Sequence, residues 1–594
     1  MHQDAFDDMG GRFEARLRDH RTVVRSTKTR EGEISLSSAV AVLEARFDFK
    51  VLDRLHQPSF VGIERATSEG SKIYLIYEIV NLKPTHFQML GMDVSLPKTV
   101  RLEFLTKINE SWGESEETWL DIVAVPTGYS LALEGGEPRF TKTSLIPLVG
   151  STVRLLSNHT VRRFLCVDEG VPIGDLIGFD MPLTVDIETM VRYHAGVFGF
   201  TGSGKSNLTS YLIRKAVEVI PDLKVVVFDV AGEYSIHLLD LIADRGKVFS
   251  TEDFQGDVSN FLNAQAIPET LEKRLPESLL KEKIKGMFEA NRIQKLATED
   301  SLEHKIDLNF ILTALSDIYE SGRAGGISAN LKLKEIVEHL IEEKGYDRNS
   351  DLAELKEEDL EYLIQTLQEL VDTAPDRSSL KTDLTSILDY LNKLSKSKSK
   401  EAEETTVKAI TTSTLANQLL KTDQPLINIL YIPEPDEARL IAAKLINTIL
   451  LIKKTRGARK KILMVLDEAQ EFIPDRAVKP DYSDISNRAV EALLRQGRKY
   501  RAHCWLSTQR VAHLNVNAIQ QLHSYFVSTL PRLYDRIVIA DAFSLSYDIL
   551  EKTTELDTGQ WLFVSYKATK QKSVPAFIQS PNNEDILIAN LGVK

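Results

Sequence analysis

Cysteine is nearly missing from this chain: Cys166 and Cys504 are the two thiols in 594 residues, and neither has a partner at metal-ligand spacing. A disulfide scaffold and a zinc site are thereby excluded, and a reducing compartment, the cytoplasm, is expected. Long apolar runs are missing too. The most apolar stretch, Leu440 to Ile452, spans 13 residues and contains Lys444 and Asn447, short of the ~20 that cross a bilayer. The opening residues Met1 to Asp8 lack the basic and apolar regions of a secretory signal, so no membrane association is expected. A basic excess is also absent: 86 acidic against 73 basic side chains give a net charge of -13. That deficit is local. Thr251 to Ile410 holds 33 acidic and 21 basic residues, a net of -12 that leaves the remainder near neutral. A polyanionic partner touching a narrow surface is therefore neither supported nor excluded.

Against these absences stand 43% hydrophobic and 27% charged residues, ordinary globular values, in a chain long enough for two to four domains. Gly199-Phe200-Thr201-Gly202-Ser203-Gly204-Lys205-Ser206 fits the phosphate-cradling pattern GxxxxGK[ST]. Ala195 to Phe200 reads as a short buried strand, and Asn207 to Val219 carries Leu208, Leu212, Ile213, Ala216 and Val217 at helical spacing, the context that pattern requires. Gly199, Thr201, Gly202, Ser203, Gly204, Lys205, Ser206 and Asn207 are thus expected to bind a nucleoside triphosphate, ATP. In that reading Lys205 meets the β/γ-phosphates and the Ser206 hydroxyl ligates Mg²⁺.

A second signal is Ile462 to Leu466, an apolar strand closing on Asp467 and Glu468. Asp467 is the expected Mg²⁺ partner and Glu468 the expected acceptor of a proton from attacking water. A third strand, Ala502 to Leu506, runs into Ser507-Thr508-Gln509-Arg510. Gln509, with Thr508 second, is the candidate sensor of the γ-phosphate, the alternative being a mere strand cap. The basic cluster from Arg495 to Arg501 contains Arg498, a candidate arginine finger for a neighbouring subunit's nucleotide; a solvated or DNA-facing cluster is the alternative. Arg456, Arg459, Lys460 and Lys461 precede the acid strand and read as surface charge at the opposite pole.

The expected fold is α/β, a P-loop NTPase sheet of the RecA/ASCE type with a helical-bundle insertion and a small antiparallel β-barrel ahead of it. Residues 1–33 read as a flexible arm without periodicity. Residues 34–160 read as the barrel, from β-rich runs at Ile73 to Val80, Val100 to Leu105 and Thr118 to Val125. Residues 161–265 are the first part of the ATPase core. Residues 266–410 are the bundle, with apolar stripes through Leu333 to Ile341, Leu360 to Leu370 and Leu380 to Leu394. Residues 411–594 complete the core and tail, and Lys393 to Lys400 reads as a solvated loop.

Four stretches together resemble the HerA-like branch of the FtsK/HerA ATPases: Arg192-Tyr193-His194 leading into GFTGSGKSN, FDVAGEY at Phe228 to Tyr234, LDEAQEFIP at Leu466 to Pro474, and GRKYRAHCWLSTQR at Gly497 to Arg510. The resemblance implies a homo-hexameric ring that hydrolyses ATP with Mg²⁺ and translocates double-stranded DNA, often feeding a nuclease. It makes Glu233 a second carboxylate near the nucleotide, and Arg192 and Arg498 candidate intersubunit arginines. Two places depart from it: Ala231 and Gln470 stand where the family commonly has histidine. The leading expectation is a DNA translocase working with a partner nuclease in end processing. The alternatives are an antiviral assembly in which the ring scaffolds a nuclease or NAD-consuming effector, and a nucleotide-dependent scaffold with slow, uncoupled hydrolysis.

Overall fold

The computed structural model describes residues 5–592 apart from 30–31, 91–96, 114–115, 298–306, 321–324, 349, 351, 353–354, 375–380, 382–383, 386, 389–390, 393–394, 396–408, 422–425, 457–459 and 476–481. The chain divides into two compact units, Met1–Gln294 with Leu419–Lys594, and Lys295–Gln418.

In the first unit, seven strands form one antiparallel sheet: β1 (Ala15–Thr29), β2 (Gly32–Arg46), β3 (Phe60–Ala66), β4 (Lys72–His86), β5 (Thr118–Glu134), β6 (Glu137–Lys142) and β7 (Thr152–Leu155). Their order is β2-β1-β7-β3-β4-β5-β6, and β2 also pairs with β5, so the sheet closes on itself. Inward residues such as Leu17, Leu43, Ile63, Leu75, Leu120 and Ile122 fill the interior. Two sequence expectations change here. Residues 1–33 are not an unstructured arm: β1 begins at Ala15 and pairs with β2 as far as Thr29. Among the described residues no other strand flanks β1 beyond Arg16, and Asp19 to Val24 present no buried side chain, so this stretch shows no alternation of apolar residues to read. Val100 to Leu105 is helical, within Lys98–Ser111, not a strand. Its Val100, Leu102, Phe104 and Leu105 are all exposed, so the apolar run records no buried sheet position.

The second sheet of the same unit has twelve strands. Its members are β8 (Val171–Leu176), β9 (Pro182–Val185), β10 (Ala195–Phe198), β11 (Leu223–Asp229), β12 (Gly246–Ser250), β13 (Ile293–Lys295), β14 (Leu426–Tyr431), β15 (Lys461–Leu466), β16 (Ala502–Thr508), β17 (Ser524–Val527), β18 (Gln560–Ser565) and β19 (Ala576–Gln579). They lie in the order β13-β12-β14-β11-β15-β16-β10-β17-β18-β19-β8-β9. From β12 to β17 the pairings are parallel, and from β17 to β9 antiparallel. Every residue of β10, β11 and β16 is buried, as strands covered on both faces must be. Parallel pairing brings the carboxyl ends of β10, β11, β15 and β16 to one edge, and each is followed there by a motif singled out in the sequence.

The unit Lys295–Gln418 is helical. Leu308–Glu320, Gly326–Ile336, Val337–Glu343 and Glu357–Thr373 enclose a leucine-rich core that includes Leu315, Leu340, Leu360, Leu363 and Leu367. Most of Lys393 to Lys400 lies outside the described residues.

Candidate nucleotide site

The loop after β10 folds through two left-handed glycines, Gly202 (φ 83°) and Gly204 (φ 95°), a conformation other residues rarely adopt. Gly204 then caps the helix Lys205–Val219. The first bond inside that helix is Leu208 N–H to Gly204 C=O, at 2.9 Å. Lys205, Ser206 and Asn207 therefore bring their N–H groups to the helix start without an intrahelical acceptor, where the helix dipole favours an anion. The loop is held from outside: Gly199 N–H donates to Thr508 C=O at 3.3 Å, Phe200 N–H to Thr529 C=O at 3.0 Å, and Gly559 N–H to Ser203 C=O at 3.0 Å. Ser203 Oγ is buried without a partner, and Lys205 is only 9% exposed. A preformed nest of amides, an orphaned hydroxyl and a sequestered ammonium fit a polyphosphate.

The acids converge on the same edge. Ser206 Oγ donates to Glu233 Oε2, joining the helix start to the turn after β11. That turn is built by Asp229, whose carboxylate accepts from Gly232 N–H at 2.7 Å, Glu233 N–H at 3.2 Å and Tyr234 N–H at 2.9 Å. Burial pushes Asp229 up to about 6, with its three amide donors pulling the other way. Tyr234 then reaches across with its hydroxyl to Asp467 Oδ1 at 3.3 Å. Asp467, 3% exposed, is pushed well above the usual carboxylate range by burial and by the carboxylates of Asp229, Glu233 and Glu468. So much negative charge at one edge calls for a cation. Among the described residues no cluster of three histidine, cysteine or acidic side chains could hold a metal by itself. The donor set fits Mg²⁺, which takes one or two protein oxygens and completes its shell with phosphate and water.

Glu468 occupies the left-handed region at φ 46°, sparsely populated for a side chain of this kind. Gln470 Nε2 donates to its Oε2 at 2.8 Å, and Thr508 Oγ1 donates to Gln470 Oε1 at 2.5 Å. Thr201 of the phosphate loop donates to Gln509 Oε1. Both side chains at the end of β16 are thus engaged, one toward the acid and one toward the loop. That follows from the topology, because β16 lies between β10 and β15.

Three of the residues singled out in the sequence lie apart. The side chain of Asn207 turns away from the loop, donating to Asn582 Oδ1 at 2.7 Å and accepting from Asn583 N–H at 2.8 Å. It ties the helix to the carboxy-terminal segment. Arg192 and Arg498 precede β10 and β16 and so lie at the amino ends of those strands, the pole opposite the loop. Their guanidinium carbons stand 5.7 and 5.3 Å from the ring centre of Tyr193. Lys461, the first residue of β15, shares that pole and pairs with Glu188 at 2.7 Å. One participant was missed in the sequence, Lys567, whose Nζ is 5.6 Å from the same Tyr193 ring; Asp229, which closes its strand at the nucleotide edge, is buried at 1% exposure. The carboxylate three residues before Gly232 was a readable sign of the Asp229 turn; Lys567 had no local signal.

A mixed sheet whose parallel part sets the phosphate-loop strand and the acid strand on either side of one polar-ended strand defines a P-loop NTPase core. Residues 171–449 match the family model described as the central domain of helicase HerA. The chain is 24% identical over 438 residues to the DNA double-strand break repair helicase HerA of Sulfolobus acidocaldarius, covering 72% of each chain. It is 21% identical over 436 residues to the protein of the same name from Sulfurisphaera tokodaii, again covering 72% of each. Among solved structures, VirB4 of Thermoanaerobacter pseudethanolicus matches 70% of this chain and 97% of its own at 12% identity and a TM-score of 0.39. The plasmid coupling protein TrwB in complex with ADP and Mg²⁺ matches 72% and 93% at 13% identity and a TM-score of 0.39. No helix among the described residues is long and apolar enough to cross a membrane.

Proposed function

We propose that this chain hydrolyses ATP to translocate double-stranded DNA, acting as a homo-hexameric ring beside a partner nuclease in DNA end processing. The observation that carries the enzymatic part is the meeting of Ser206, Glu233, Asp467 and Glu468 with the phosphate loop at one sheet edge. In this reading the amides of Gly202 to Ser206 and the Lys205 ammonium bind the β/γ-phosphates. Ser206 and Asp467 would hold Mg²⁺, with Glu233 nearby; when bound, that ion neutralises phosphate charge. Glu468 orients water and takes its proton, and Gln509 senses the terminal phosphate from the neighbouring strand. Arg192 and Arg498, too far along the sheet for their own subunit's loop, serve a neighbour's nucleotide. We further read the closed seven-stranded sheet as a small barrel that braces the ring, and Lys295–Gln418 as a helical bundle inserted into the core.

The DNA part is supported by the similarity to DNA double-strand break repair helicases HerA; the nuclease part follows from the motif resemblance alone. The test is ATP turnover with and without linear duplex DNA, paired with a displacement assay. A motor shows stimulation and movement, both lost in Glu468→Gln. Turnover indifferent to DNA, with no displacement, would leave an ATP-dependent scaffold instead.

A further inference from the structure

Gln470 sits in a short turn, Ala469–Glu471, directly after the acid pair. Its amide joins two groups, the Glu468 carboxylate at 2.8 Å and the Thr508 hydroxyl at 2.5 Å, 38 residues away on β16. The direction of this chain is fixed. The Glu468 carboxylate only accepts, so Nε2 of Gln470 faces it and Oε1 faces Thr508, whose hydroxyl donates to it while accepting from Arg510 N–H at 2.9 Å. Gln470 Oε1 is then an acceptor and Nε2 a donor, aimed at Glu468 Oε2. Each bond polarises the next toward the carboxylate.

We propose that Gln470 is the positioning residue for Glu468, with Thr508 as its anchor. This rests on the reading of Glu468 as the group that takes the proton from attacking water. A glutamate side chain has several staggered states and would sample them from its partly exposed, left-handed backbone position. Tying Oε2 to Gln470 selects one of them and leaves Oε1 free to face the water. Because the anchor is the end of β16, and Gln509 beside it bonds Thr201 of the phosphate loop, one strand end sets both the acid and the loop. Gln470 touches neither nucleotide nor water in this account. It acts through Glu468.

The test is full-chain ATP turnover across ATP concentration, with affinity for a fluorescent ADP measured on the same samples. Gln470→Glu keeps the acceptor for Thr508 but cannot donate to Glu468, and Gln470→Leu removes both bonds at similar volume. Both should lose about 10- to 100-fold in kcat, as misplacement of a reacting group does, with KM and ADP affinity within about twofold of wild type. Gln470→His, with one ring nitrogen donating and one accepting, should restore kcat to within about threefold. Thr508→Val should fall as Gln470→Leu does, and the double variant no further, since both cut one chain. The proposal is overturned if Gln470→Glu turns over ATP at the wild-type rate, if KM rises and ADP affinity falls as kcat falls, or if the histidine variant is as slow as the leucine variant. Glu468→Gln is the control: wild-type turnover there would show that the reading of Glu468 had failed, independently of Gln470.

Discussion

The two edges of the same parallel sheet carry opposite charge. At the carboxyl ends of β11 and β15 four acids gather, Asp229, Glu233, Asp467 and Glu468, and burial with mutual repulsion raises Asp467 far above its ordinary range. At the amino ends of β10 and β16 three cations, Arg192, Arg498 and Lys567, surround the ring of Tyr193, and no carboxylate pairs with them among the described residues. Two histidines buried beside this second cluster, His194 and His503, are held neutral, pushed down to about 4 and about 3 mainly by burial. A strand the length of β10 separates the poles by ~13 Å. Each pole alone is electrostatically incomplete. The first asks for a cation and the second for an anion, which is the arrangement expected if one copy's cationic pole completes another copy's nucleotide site.

The comparison can be broken most severely at the acidic pole. Lys205→Ala should lower ATP turnover by more than about 100-fold and abolish binding of fluorescent ATP, because the phosphates then lack their ammonium countercharge. Mixing tests whether the poles belong to one shared site. Arg498→Ala subunits and Lys205→Ala subunits should each be inactive alone, and turnover should reappear in mixtures; silence at every ratio would separate the two poles functionally. Smaller effects sharpen the contrast. Asp229→Ala leaves the Gly232, Glu233 and Tyr234 amides without their acceptor and should cost about 1–3 kcal/mol in denaturant unfolding.

The poles should also answer pH with opposite signs. Asp229, raised to about 6, contributes stability fully present below its unfolded value and lost as pH rises through about 6. His503, lowered to about 3, contributes stability fully present above its unfolded value near ~6.5 and lost as pH falls toward about 3. In thermal melts, His503→Gln should flatten the acid limb and leave the limb above pH 6 unchanged. A variant whose acid limb matches wild type would remove His503 from the account.

Much of the nucleotide edge could be read from the chain because its signals are local. A four-residue apolar strand, a glycine-rich loop and a helix lie within 25 contiguous residues at Ala195 to Val219, and the acid strand is as compact. What escaped reading depends on residues far apart or on surfaces without a buried face. Asp19 to Val24 of β1 has no apolar alternation because none of these side chains is buried. The run at Val100 to Leu105 carries strand-forming residues yet lies exposed on a helix. Asn207 stood in the motif, but its side chain is claimed by Asn582 and Asn583, more than 370 residues along. Gln470 showed only as a departure from a pattern, since its partner Thr508 becomes visible once β15 and β16 are paired.

The central claim is that Glu468, delivered to the phosphate loop by a distant strand, takes the proton from the water that attacks ATP. Single-turnover hydrolysis by Glu468→Gln, measured beside its ATP affinity, tests this most directly. The account predicts that the variant binds ATP within about threefold of wild type and hydrolyses it at least about 100-fold more slowly. Hydrolysis at the wild-type rate with ATP bound would contradict it.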